Sequence, residues 1–119
     1  MTLLVLTATV QAVYYVLTGI WPILSIDTFQ RVTGPKTDLW LVKMIGALFA
    51  VIGLTIGVAV LYADIDRTVA VLAISCAVAV IIVDVWYVSR RVISRVYLLD
   101  ALAEVFLLIG WSLGLFLAG

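Results

Sequence analysis

Three carboxylic acids, Asp84, Asp100 and Glu104, lie in stretches that are otherwise almost all hydrocarbon, with Arg90, Arg91 and Arg95 between the first and the second. Acids in such surroundings have two uses. Paired with cations they fix helix register; left in surplus they make a site for a cation, a proton or a polar head group. Lys43 is the base expected to meet them, and Tyr87, Tyr97, Arg91 and Arg95 fall near the mouth of the same cluster. Three acids against one lysine leave negative charge in excess, so either the arginines reach inward or one carboxyl keeps its proton. Glu104, one helical turn beyond Asp100, is the deepest and the candidate for that proton.

The search for catalytic chemistry finds little. There is no histidine, and neither Ser75 nor Cys76 has an obvious base to activate it. Asp100 and Glu104 have the four-residue spacing that acid–base work on a lipid-like substrate could use, but two acids one turn apart are too common to assign it. The expected reading is non-catalytic, with no cofactor and no metal. A single cysteine can form neither an internal disulfide nor, without His, a zinc site, and Cys76 sits among Ser75, alanines and valines as a small packing residue. Gly34-Pro35-Lys36 lacks both the Gly-x-x-x-x-Gly-Lys spacing and the preceding strand of a phosphate loop. Zero formal charge and the lack of a separate basic tract leave nucleic-acid binding without a footprint.

The elements that must position these residues follow from composition. The chain of 119 residues is 66% hydrophobic and 12% charged, against roughly 45–50% apolar and about 25% charged in a soluble domain. So short a chain has no core volume for that much apolar surface, and a bilayer must serve as solvent for much of it. Four runs, about 3–24, 39–62, 68–88 and 97–118, approach the ~20 residues that span ~30 Å of hydrocarbon. In lipid each must satisfy its own backbone, which predicts helices rather than strands. The expected fold is all-α: one transmembrane domain over residues 1–119, a polytopic four-transmembrane-helix bundle.

Charge orients that bundle. Arg31, Lys36, Lys43, Arg90, Arg91 and Arg95 fall on the side shared by the first and third connections, and Arg67 on the other. The positive-inside rule then places both termini on the extracytoplasmic side of a multi-pass protein of the cell inner membrane. Trp21, Trp40, Trp86, Tyr87 and Tyr97 gather at the same cytoplasmic boundary. The opening Met-Thr-Leu-Leu-Val-Leu has no base ahead of its apolar run and no small-residue cleavage site, so no removable signal peptide is expected.

Within the connections, Ser25 to Asp38 spaces Ile26, Phe29 and Val32 three apart. That pattern suits a short interfacial helix ending before Gly34-Pro35, and an irregular loop equally. An aspartate of Asp64-Ile-Asp66 is expected to cap the third long helix, and Ser94 the fourth.

Steps of three and four along each run pick out one polar or small face. These faces are Thr7, Gln11, Tyr14, Thr18 and Trp21; Lys43, Gly46, Ala50, Gly53 and Gly57; Ala70, Ala73, Ala77, Val80, Asp84, Tyr87 and Arg91; and Tyr97, Asp100, Glu104, Leu107, Trp111 and Gly114. By the ~1.5 Å rise, Asp84 and Asp100 sit roughly 8–9 Å inward of the arginines, with Lys43 at a similar level. Gln11, near mid-helix, is expected to bond a neighbouring helix or touch a ligand, because a lone amide there is costly. Gly53-x-x-x-Gly57 and Gly110-x-x-x-Gly114 are expected to pack helices within the chain rather than between copies.

Val-Thr-Gly-Pro-Lys at 32–36 and Val-Tyr-Leu-Leu-Asp-Ala-Leu-Ala-Glu at 96–104 resemble segments of small bacterial four-helix membrane proteins of the DoxX-like kind. The resemblance implies a four-helix bundle in a prokaryotic inner membrane and carries no active site. The expected function is a small accessory subunit or a binder of a lipid or another amphipathic ligand. The alternative is an oligomeric proton- or cation-coupled transporter or channel that uses Glu104 or Asp84. Expected partners are membrane lipids, with either a membrane-protein partner or further copies of the chain.

Overall fold

The computed structural model describes residues 2–118, and every described element is helical. The helices are α1 Leu3–Leu24, α2 Ile26–Thr33, α3 Leu39–Leu61, α4 Arg67–Ser89 and α5 Tyr97–Ala118. Four of them, α1, α3, α4 and α5, are long and apolar enough to cross a membrane. Their 22 or 23 residues give about 33 Å of helix.

The helix ends are set locally. Thr2 Oγ1 accepts from Val5 N–H (3.2 Å) to start α1, and Asp66 Oδ1 accepts from Val69 N–H (3.0 Å) to start α4, each satisfying a backbone donor that the first turn leaves free. Ser94 caps the turn that leads into α5, its carbonyl accepting from Tyr97 N–H (3.1 Å). Its hydroxyl accepts from Val96 N–H (3.3 Å), two residues on, which makes a turn before α5 begins at Tyr97. The α3–α4 and α4–α5 connections both leave their helix through a left-handed residue, Ala63 (φ 51°) and Arg91 (φ 59°). In each, the next N–H reaches back five residues, Asp64 to Ala59 O (2.8 Å) and Val92 to Tyr87 O (2.9 Å), which closes the helix end sharply.

The first connection folds as the short helix α2. Its start is tied to α1 by Trp21, whose indole N–H donates to Thr28 Oγ1 (2.9 Å) and whose ring meets Phe29 edge-on at 5.3 Å. Gly34 ends it at φ 100°, a conformation that costs other residues and not glycine.

The long helices form an arc in the order α3, α1, α5, α4. α1 packs broadly on α3 and also on α5, α5 packs on α4, and α3 barely touches α4. Small residues draw α1 and α3 together. A Cβ on Gly53 would lie 2.7 Å from Ala12 O, and one on Gly46 would strike Gly19 O and sit 3.0 Å from Pro22 Cγ. On α5, Gly110 and Gly114 lie against Thr7 and Leu4 of α1. Both small-residue patterns therefore work inside the chain.

The arc closes at one end only. Near the α3–α4 turn, Ala8, Ala12, Ile56, Ala70, Ala73 and Trp111 form a buried cluster joining all four long helices. At the opposite end, where α2 and the α4–α5 connection lie, α3 and α4 stand apart. The outward faces are chiefly apolar, with Leu17, Leu54, Ile82, Phe106 and Phe116 all exposed.

Candidate functional site

The gap between α3 and α4 is a cavity of about 800 Å³, walled by all four long helices and floored by α2 and the segment around Lys36. Its wall is chiefly aliphatic and aromatic, with Val42, Ile45, Phe49, Val80 and Val83 facing Tyr14, Trp21, Phe29 and Tyr97. Asp84 and Asp100 are the acids in that wall.

The acids reach it from adjacent helices. Asp84 continues the alanine face of α4, Ala70, Ala73 and Ala77, and is 5% exposed. Asp100 and Glu104 are one turn apart on α5, the first half-buried at the cavity and the second wholly buried behind it. Successive tyrosines of α1 serve these two. Tyr15 O–H donates to Glu104 Oε2 at 2.8 Å, and Tyr14 O–H donates to Asp100 Oδ1. A neighbouring pair on one helix thus matches a one-turn pair on the next.

The donors stop short of satisfying the acids. Asp84 Oδ2 and Glu104 Oε1 are buried with no hydrogen-bond partner. Asp84 and Asp100 both line the cavity, from the adjacent helices α4 and α5. No hydrogen bond joins these acids to a lysine or arginine among the described residues. A buried polar group without a partner costs on the order of 1–3 kcal/mol, and more when charged.

Lys43 is the principal correction to the expected cluster. It is exposed on the outside of α3 and takes no part in the cavity wall. The cause is the arc. α3 is held against α1 by Gly46 and Gly53, so the first turns of α3 have no α4 or α5 beside them. Tyr87, Arg91 and Arg95 are likewise exposed and outside the wall. Arg90 stacks on Trp86 with its guanidinium 4.7 Å from the ring centroid. Tyr97 is in the wall as expected, half-buried.

The lysine at the cavity is Lys36. Its ammonium donates to Thr33 O and Gly34 O, both at 3.1 Å, the carbonyls that the end of α2 leaves free. It also lies 5.1 Å from the Tyr97 ring centroid and 6.0 Å from that of Phe29. Lys36 was legible as a base in a Gly-Pro turn, and nothing in its spacing linked it to the acids. The acid-binding role of Tyr14 and Tyr15 had a usable signal, since a mid-helix phenol in an apolar run needs an acceptor.

Gln11 stands apart from the cavity, in the closed half. Its Nε2 donates to Ala73 O of α4 (3.1 Å), and its Oε1 accepts from Trp111 Nε1 of α5 (2.6 Å). One side chain of α1 thereby ties two other helices.

No group of three His, Cys, Asp or Glu side chains among the described residues is placed to hold a metal ion. No protein-family model, curated protein or solved structure matches the chain. The site must therefore be read from its own geometry.

Proposed function

We propose that the chain is a non-catalytic multi-pass membrane protein that holds a lipid-like or other amphipathic ligand between α3 and α4. The observation that carries this reading is the cavity itself. About 800 Å³ of space falls within the ~300–1,000 Å³ of ordinary ligand sites, and an apolar wall with a few convergent polar groups is their usual make-up. Short connections leave little chain outside the long helices for any other site. In this reading the termini lie outside, α2 and Lys36 line the cytoplasmic face, and the membrane is a prokaryotic inner membrane. The basic connections and the DoxX-like segments support that placement. Whether the protein acts alone or as an accessory subunit follows from what accompanies it.

Native mass spectrometry from membranes tests the reading, because stoichiometry, partner and bound lipid appear together. We expect a small-molecule adduct that Val83→Trp, which fills the cavity, removes without loss of the folded chain. A ligand-free monomer whose stability does not respond to lipid would refute it.

A proton- or cation-coupled oligomer is the second reading, favoured by one observation, the wholly buried Glu104 with Oε1 unpartnered. Intramembrane acids of this kind are frequent in proton and ion paths. Proteoliposome flux compared between the wild type and Glu104→Gln decides it. Flux that does not change removes Glu104 from the mechanism.

A further inference from the structure

Resting on the ligand-binding reading, we infer that the cavity takes the ammonium group of an amphipathic amine, with Asp84 as its principal acceptor and the aliphatic wall holding the chain. Three independent observations converge on that chemistry. Asp84 is 5% exposed, belongs to the cavity wall and has an oxygen without a partner. Its terminal torsion is broad and two-fold, so a half-turn exchanges its two equivalent oxygens.

The second observation is the balance of charge. Asp84 and Asp100 both line the cavity with Glu104 wholly buried one turn beyond Asp100, while the tyrosine donors are spent on Asp100 and Glu104. Lys36 is held by two carbonyls at the floor. A neutral head group would leave the charge unmet. An anionic one would add a further like charge. A primary ammonium brings three donors and a positive charge to an acidic wall in which Asp84 Oδ2 has no partner.

The third is that the cavity floor already accepts an ammonium. Lys36 rests over the Tyr97 and Phe29 rings, and aromatic faces attract a cation wherever water is thin.

The shared chemistry has two sources, the head group of an ethanolamine phospholipid and a free amphipathic amine. Calorimetric titration of the full chain in choline-phospholipid nanodiscs, with empty nanodiscs subtracted, compares octylamine with 1-octanol at neutral pH. The amine is protonated there, as a lysine is. We expect octylamine to bind at least about tenfold more tightly than octanol, as a charge-assisted hydrogen bond implies. Asp84→Asn should remove the preference for octylamine over octanol. Equal affinities on the wild type overturn the amine inference and leave the amphipathic-ligand reading standing. No saturable binding of either compound overturns both. A preference that survives in Asp84→Asn overturns the assignment to Asp84. The wild-type comparison decides the ligand class even where the variant does not fold. Weakened octylamine binding in nanodiscs containing ethanolamine phospholipid identifies the lipid as the source, and unchanged binding identifies a free amine; both support the inference.

Discussion

The half of the bundle that holds Gln11 and the half that holds Asp84 bury polar side chains to opposite effect. Around Gln11, both ends of the amide are bonded, to Ala73 O and to the Trp111 indole, and four helices meet in a dense cluster. Around Asp84, an acid is buried with an oxygen unpartnered beside an open cavity. The polar group in the first half is fully used by the fold. In the second half it is left for something else. Satisfied buried networks hold a unique arrangement, whereas half-satisfied ones cost stability. The difference separates a half whose buried amide is bonded at both ends from a half in which Asp84 Oδ2 and Glu104 Oε1 have no partner.

Mutational stability should break along that line. The largest effect is expected for Trp111→Ala, which empties the centre of the closed half and frees Gln11 Oε1. It should cost about 3–5 kcal/mol, measured by denaturant unfolding in detergent. Gln11→Ala should come next, at about 1–3 kcal/mol, since it leaves the buried Trp111 indole N–H without a partner. If Gln11→Ala is neutral, the closed half is not held by its polar bridge.

The sign should reverse in the open half. Asp84→Leu removes a buried, unpartnered carboxyl and should stabilise the chain by about 1 kcal/mol while abolishing any preference for amines. A loss of more than about 2 kcal/mol would make Asp84 a structural residue and end the contrast. The smallest effect is expected for Val80→Ala, which borders existing space and should change stability by less than about 1 kcal/mol.

The span of each long helix was legible because its causes are local. Apolar runs of membrane length, Asp66 as a cap and Gly34-Pro35 as a break act within a turn of the chain, and the observed ends of α1, α3, α4 and α5 fall within one residue of the runs. Ser94 was legible as a cap for the same reason, its hydroxyl and carbonyl accepting from the Val96 and Tyr97 N–H groups within one turn. The faces were legible in part. Ala70, Ala73, Ala77 and Asp84 are buried on α4 as their spacing implies. On α1 the buried face turns by one residue, to Tyr15 and Gly19, and Tyr14 faces the cavity. Where every side of a helix is apolar, periodicity says little about rotation, and close packing of small residues decides it.

By itself the sequence determined an all-α chain of four long apolar helices, their limits, and the presence of acids too costly to bury without a reason. Only the tertiary structure decided which acids met which partners. Glycine contacts pull α3 toward α1, which carries Lys43 outward, opens the space beside Asp84 and brings Tyr14 and Tyr15 to Asp100 and Glu104. Those outcomes depend on the order in which helices stand side by side. Local spacing cannot encode that order, because in an apolar solvent every hydrocarbon face is equally content.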